Sequence, residues 1–189
     1  MVVQRKLYTY DEFEQIARLP ENQQRRLELI NGEIIEVVPL LEHGFDAGVI
    51  HGKVFIYLER NPIGRVVFEV DFKSPDDDDN AFRPDVAYIS NERLAGVDPK
   101  KPAHFLPDLA VEVKSPSNYY TGKEGLREKA AYYLAHGTRL VWLVDPEKQQ
   151  VEVYMLGQPP VIYTLEDTLE GGDVLPGFTL PVRSIFTTP

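Results

Sequence analysis

The chain has 189 residues and a formal net charge of −10, from 30 acidic against 20 basic side chains, and it has no cysteine. That length suits one domain with a sizeable core, the missing cysteines exclude disulfides and thiolate metal sites, and the charge weighs against a duplex binder held by a basic stripe. No apolar run reaches the ~18 residues of a membrane span and the first residues lack the apolar core of a secretory signal, so a cytoplasmic location is the default expectation.

In chain order, "YTYDEFEQIARLPEN" opens with Thr9 as N-cap and Glu12 three residues on, a capping box that predicts a helix from Tyr10 to Arg18, stopped before Pro20. The two β-rich runs of "RLELINGEIIEVVP" flank Asn31-Gly32, a strong hairpin signal because both turn positions need positive φ. A two-residue turn pairs Ile30 with Glu33 and Leu29 with Ile34. Glu28 and Glu33 flank it on the face of Ile30 and Ile35, and both are expected to be exposed or at a cleft edge. "EHGFDAGVIHGKVFIYLERN" carries Phe45, Val49, Ile50, Val54 and Tyr57 at roughly helical spacing, predicting a helix that ends near Asn61-Pro62. "GRVVFEVDFK" reads as a strand. "SPDDDDNAFR" reads as a solvated loop, since its aspartates lack the spacing and glycine of a calcium loop. "PDVAYIS" is a second strand, entered through Pro84, and residues 91–107 form a loop with a short helical turn.

In "PDLAVEVKSPS" successive residues point to opposite faces, so Leu109, Val111 and Val113 form a core row while Ala110, Glu112 and Lys114 form the other. Pro116 stops this strand. "TGKEGLREKAAYYLAHGT" predicts a helix with Leu126, Ala130, Tyr133 and Leu134 on one face and Gly137 closing it. "RLVWLVDP" is a near-continuous apolar run, as in a strand buried on both faces. "QQVEVYML" and "PPVIYTL" read as two more strands, and "DVLPGFTLPVRSIF" as irregular structure with short extended pieces. The strand–helix–strand unit from Asp108 to Asp145 implies a crossover and a parallel pair, hence a mixed sheet in an α/β or α+β fold.

One constellation suggests chemistry. Asp85 follows Pro84 at the start of one strand, and after a spacer of 26 residues Glu112-Val113-Lys114 sits near the end of another. Two carboxylates converging from neighbouring strands make a hard oxygen site for Mg²⁺, and a lysine on the same face reaches a phosphate or an attacking water. The spacing alone fits an ordinary ion pair on a solvated strand equally well. Pro107-Asp108 repeats the Pro-Asp pair at a loop-to-strand entry, where a structural role suffices.

Taken together, "ELINGEIIEV", "EHG", "RPDVAYIS", "PDLAVEVKSPS" and "REKAAYYLAHGTRLVWLVDPEKQQVEVY" resemble the Uma2 family from about Tyr8 to Tyr163, and through it the PD-(D/E)xK nuclease superfamily. The resemblance implies a restriction-endonuclease-like mixed β-sheet flanked by helices, with an N-terminal hairpin, in a single domain over residues 1–189. It implies hydrolysis of DNA phosphodiester bonds with Mg²⁺ or Mn²⁺, and a homodimer is expected because such nucleases cut two strands with two sites. Asp85 matches the motif aspartate, Glu112 the motif acid and Lys114 the motif lysine. Asp85 and Glu112 would bind metal with the Val113 carbonyl, while Lys114 would act on the water or the phosphate. Many relatives carry an apolar residue at the position of Lys114, so the triad is complete here. Support is expected from Glu42 and His43 at the first core helix and from Lys129 and Tyr133, four apart on the late helix. Read without the family, Glu42 is a surface residue at a helix start, His43 a loop histidine, Tyr133 a core residue and Lys129 a side chain reaching solvent. The rival reading is a nuclease-fold binding module without turnover, which the acidic charge favours.

Overall fold

Thr9 opens the first helix, α1 (Tyr10–Ala17): its hydroxyl accepts the Glu12 amide and the Glu12 carboxylate accepts the Thr9 amide. The computed structural model describes residues 6–38, 41–115 and 123–186. Asn31 and Gly32 take φ values of 49° and 75° and fold β1 (Leu27–Ile30) onto β2 (Glu33–Glu36) with Ile30 opposite Glu33 and Leu29 opposite Ile34, the register the turn requires. This hairpin is a two-stranded sheet of its own. Leu29 pins it to the segment leading into Asp85, exchanging both backbone hydrogen bonds with Ala81 at 3.0 and 2.8 Å, and Tyr10 and Phe13 of α1 pack against Leu27, Leu29 and Ala81.

The main sheet is mixed, with strands in the order β3 (Gly64–Val67), β4 (Val86–Ser90), β5 (Leu109–Val113), β6 (Leu140–Asp145), β7 (Gln150–Met155) and β8 (Val161–Tyr163). β5 and β6 run parallel, connected through α4 (Lys123–Ala135), and the remaining neighbours are antiparallel. Residue alternation then separates two cores. Ile50, Val54 and Leu58 of α2 (Leu41–Arg60) cover one face of the sheet over Val86, Tyr88, Leu109 and Val111. Leu126, Ala130 and Tyr133 of α4 cover the other, over Ala87, Ala110, Val141 and Leu143. The helical turn expected after β4 is α3 (Asn91–Leu94). The extended pieces at the end of the chain pair as β9 (Thr168–Glu170) and β10 (Thr179–Pro181), adding Leu169 and Leu180 to the first core.

Two expectations need correction. The run "GRVVFEVDFK" leaves the sheet after Val67, because Glu69 takes φ 58° and turns the chain away; its backbone then meets other segments through isolated bridges at Phe72. The inward stripe of α2 is His43, Asp46, Ile50, Val54 and Leu58, and Phe45 is half exposed. Polar residues fill the first two inward positions, so a search for apolar periodicity shifts the stripe off its true face. Pro116 lies outside the described residues. Among the described residues no helix is long and apolar enough to cross a membrane.

Candidate active site

Antiparallel pairing of β4 and β5 places Val86 opposite Val111, so the residue before β4 lies beside the residue near the end of β5. Asp85 and Glu112 therefore stand next to each other although 26 residues separate them. The Asp85 amide donates to the Val111 carbonyl at 3.0 Å. Its carboxylate is 4% exposed and held from three sides: Oδ1 accepts from Arg26 Nη2 at 2.6 Å, while Oδ2 accepts the Val113 amide at 2.7 Å and lies 3.0 Å from His43 Nε2. Burial pushes the Asp85 carboxyl up, but His43, Arg26 and the Val113 amide outweigh it and hold it below the usual carboxylate range.

Glu112 belongs to a second, linked set. Its Oε1 accepts from the Tyr133 hydroxyl at 2.8 Å and lies 2.9 Å from Lys129 Nζ. The same ammonium donates to both oxygens of Glu28, at 3.0 and 3.1 Å, and Glu28 Oε1 also accepts the Arg83 amide at 2.9 Å. A continuous network thus runs from the hairpin through Lys129 to the centre of the sheet. Burial raises the Glu112 carboxyl to about 7; Lys129 opposes this, and Asp85 and Glu28 add to it. Lys129 is held above its ordinary value, because Glu112 and Glu28 outweigh the effect of its burial. Burial, then the charges of Glu112 and Glu28, push the Tyr133 hydroxyl up, so it stays a donor.

A carboxyl raised on folding stabilises the protein while protonated. Glu112 therefore withdraws stability as pH climbs from its ordinary 4.5 to about 7. In urea unfolding across that window, wild type is expected to lose stability relative to Glu112→Gln as pH rises. A constant difference between the two would rule out a raised Glu112.

The structure brings Asp85, Glu112, Val113, His43, Lys129 and Tyr133 together. Glu42 is exposed on the first turn of α2, outside this cluster. Lys114, one residue past β5, still donates its amide to the Val144 carbonyl at 2.8 Å, and the parallel register with β6 carries its side chain to Asp145, 3.6 Å away, and to Glu147 Oε2, to which the ammonium donates at 2.5 Å. Lys129 corrects the expectation that it reaches solvent, and Glu28, expected to be exposed or at a cleft edge, is buried in the cavity lining. Their side chains are 10% and 5% exposed, because each supplies the charge the other needs to be buried. His43 likewise sits buried in the first turn of α2 and not in a loop. Arg26 and the role of Glu28 escaped the sequence reading, although alternation in "RLELI" places Arg26, Glu28 and Ile30 on one face of the hairpin.

A cavity of about 160 Å³ opens over these groups, walled by Ile30 and Ile35 of the hairpin and by Leu126 of α4, with Asp85, Glu112 and Lys129 in its lining. Among the described residues no three His, Asp or Glu side chains gather around a point where they could hold a metal.

No curated protein matches the chain at a significant level. A crystal structure from Anabaena variabilis, described as "a putative nuclease belonging to DUF820", shares the fold, with a TM-score of 0.79 and 23% identity over 94% of this chain and 97% of that one. The profile of the Uma2 family, described as "Putative restriction endonuclease", matches residues 10–183, from the capping-box helix through the mixed sheet to the last turn, and the chain belongs to that family.

Proposed function

We propose that this chain is a metal-dependent endonuclease that hydrolyses DNA phosphodiester bonds, with Asp85 and Glu112 holding Mg²⁺ or Mn²⁺. The observation that carries the reading is the juxtaposition of these two buried acids on neighbouring strands, beside a buried lysine and a cavity. The donor chemistry fits such an ion. Both acids offer hard oxygens, and Glu28, Asp85 and Glu112 outnumber Arg26 and Lys129 in the cluster. Mg²⁺ needs only one or two carboxylates and keeps several waters, so a site without a third acidic or histidine ligand suits it. The Val113 carbonyl is the candidate third protein ligand.

When bound, the ion supplies Lewis-acid polarisation of a phosphoryl oxygen. The chain's own groups do the positioning. His43 and the Val113 amide fix the Asp85 carboxylate, while Tyr133 and Lys129 fix Glu112. Lys129 also presents a positive charge at the cavity, where it can steady charge developing on the scissile phosphate. Lys114 is the second candidate for that task, just past the end of the strand that carries Glu112. We place the activity in a single domain, in a cytoplasmic homodimer of low sequence specificity.

The test is cleavage of supercoiled plasmid, single-stranded DNA and RNA with Mg²⁺, Mn²⁺ or a chelator. Metal-dependent nicking of plasmid that the chelator stops is the expected result. The second reading, a binding module without turnover, is favoured by the cationic partner that each carboxylate already has. Absence of cleavage, with no rise in melting temperature on adding metal, would favour that module.

A further inference from the structure

Asp85 Oδ2 is engaged by the Val113 amide and His43, and Oδ1 is engaged by the Arg26 guanidinium at 2.6 Å. A guanidinium does not deprotonate in proteins, and a divalent cation on the same carboxylate would meet it at close range in a site largely shielded from water. The resident cation and the incoming one compete for Oδ1.

Arg26 is not completely satisfied where it sits. Its Nη2 also donates to the Arg83 carbonyl at 2.9 Å, but its buried Nε has no acceptor among the described residues. On its other side Glu69 Oε1 lies 3.9 Å from Nη1, with a side chain that is 56% exposed. Glu69 holds φ 58°, a conformation unfavourable for a residue with a Cβ. A second cavity, of about 350 Å³, is lined by Arg26, Asp85 and Glu69 together with His51 and Phe68. Space and a carboxylate are both present beside the guanidinium, with Glu69 Oε1 on the Arg26 side and Oε2 lying 3.6 Å from Arg83 Nη1.

We propose that Arg26 is an exchangeable counter-ion: a divalent cation entering the site displaces its guanidinium from Asp85 Oδ1 towards Glu69, and Glu69 sets how readily it leaves. This rests on the reading of Asp85 as a metal ligand. The test is Mn²⁺ binding to the full chain by titration calorimetry, which needs no turnover. Arg26→Gln is expected to bind at least about tenfold more tightly than wild type, Glu69→Gln severalfold more weakly, and Asp85→Asn not at all. In the Arg26→Gln background, adding Glu69→Gln is expected to change nothing, which separates a receiving seat from a general loss of negative charge. Glu69 is largely exposed, so its variant remains informative even if Arg26→Gln does not fold. In wild type, saturating Mg²⁺ is expected to shift the NMR signal of the Arg26 Nε–H. Unchanged or weaker binding by Arg26→Gln, or an unmoved Arg26 signal at saturation, would overturn the exchange and leave the metal reading standing. No Mn²⁺ binding by wild type or by Arg26→Gln would overturn the metal reading itself, and the exchange with it.

Discussion

Asp85→Asn is expected to abolish metal-dependent cleavage, a loss of at least about 10³-fold, while Asp108→Asn cleaves within a few-fold of wild type. The two aspartates look alike in sequence, since each follows a proline and each directly precedes a strand. The ladder separates them. Asp85 precedes β4 where β5 ends, beside Glu112, whereas Asp108 precedes β5 where β4 ends. There Asp108 Oδ2 accepts the Ser90 amide at 2.8 Å, and Oδ1 lies 3.3 Å from Arg93 and 3.8 Å from Arg139. All of these partners are structural: they tie the start of β5 to α3 and to the segment entering β6. Neutralising Asp108 should therefore appear as a loss of stability, on the order of 1–3 kcal/mol, with activity preserved. Asp85→Asn also loses stability, because Arg26 is left buried beside an uncharged amide, so plasmid cleavage must be read at a temperature where circular dichroism shows both variants folded. Cleavage by Asp85→Asn at the wild-type rate would remove Asp85 from the site.

The contrast between these aspartates shows what could be read from the residues and what could not. Asn31-Gly32 determines a hairpin register by local turn chemistry, and the unit from Asp108 to Asp145 determines a parallel pair by chain connectivity, so both were legible. That Asp85 meets Glu112 depends on the pairing of β4 with β5, which no local pattern encodes and which the Pro-Asp and Glu-x-Lys pattern pointed to through the family resemblance. The network around Lys129 was harder still. A lysine is seldom buried without a partner, and its partner Glu28 lies 101 residues away in the chain. Seen alone, "REKAAYYLA" places Lys129 where its stem lies along the helix and its ammonium reaches solvent, and "RLELI" places Glu28 at an exposed or cleft-edge position. Burial becomes affordable for either only once the hairpin is laid against α4. The inward face of α2 was blurred for a related reason: His43 and Asp46 occupy positions where apolar residues are sought. From that position His43 Nε2 lies 3.0 Å from Asp85 Oδ2.

The two lysines offer the sharpest test of how the motif is used. Lys114 stands where the Glu-x-Lys pattern puts the lysine, yet its ammonium is paired with Glu147, whose side chain is 61% exposed. The Glu147 pair contributes little, roughly 0–1 kcal/mol, and Asp145, 3.6 Å away with its side chain 12% exposed, still accepts the Lys148 amide, so Lys114→Gln is expected to lose only modest stability and to cleave within a few-fold of wild type. Lys129→Met is expected to lose cleavage by about 10²–10³-fold. It should also lose roughly 3–5 kcal/mol of stability, because Glu28 and Glu112 are left buried without their cation. Those two losses can be separated. Adding Glu28→Gln to Lys129→Met removes one of the stranded charges while keeping an oxygen for the Arg83 amide, so urea unfolding should recover much of the lost stability. If cleavage stays lost in the refolded double variant, the ammonium serves the reaction and not only the fold. If cleavage returns with stability, and Lys114→Gln is the inactive variant, the chemistry belongs to Asp85, Glu112 and Lys114 as the motif order implies, and Lys129 is the buried support that allows Glu112 to stand where it does.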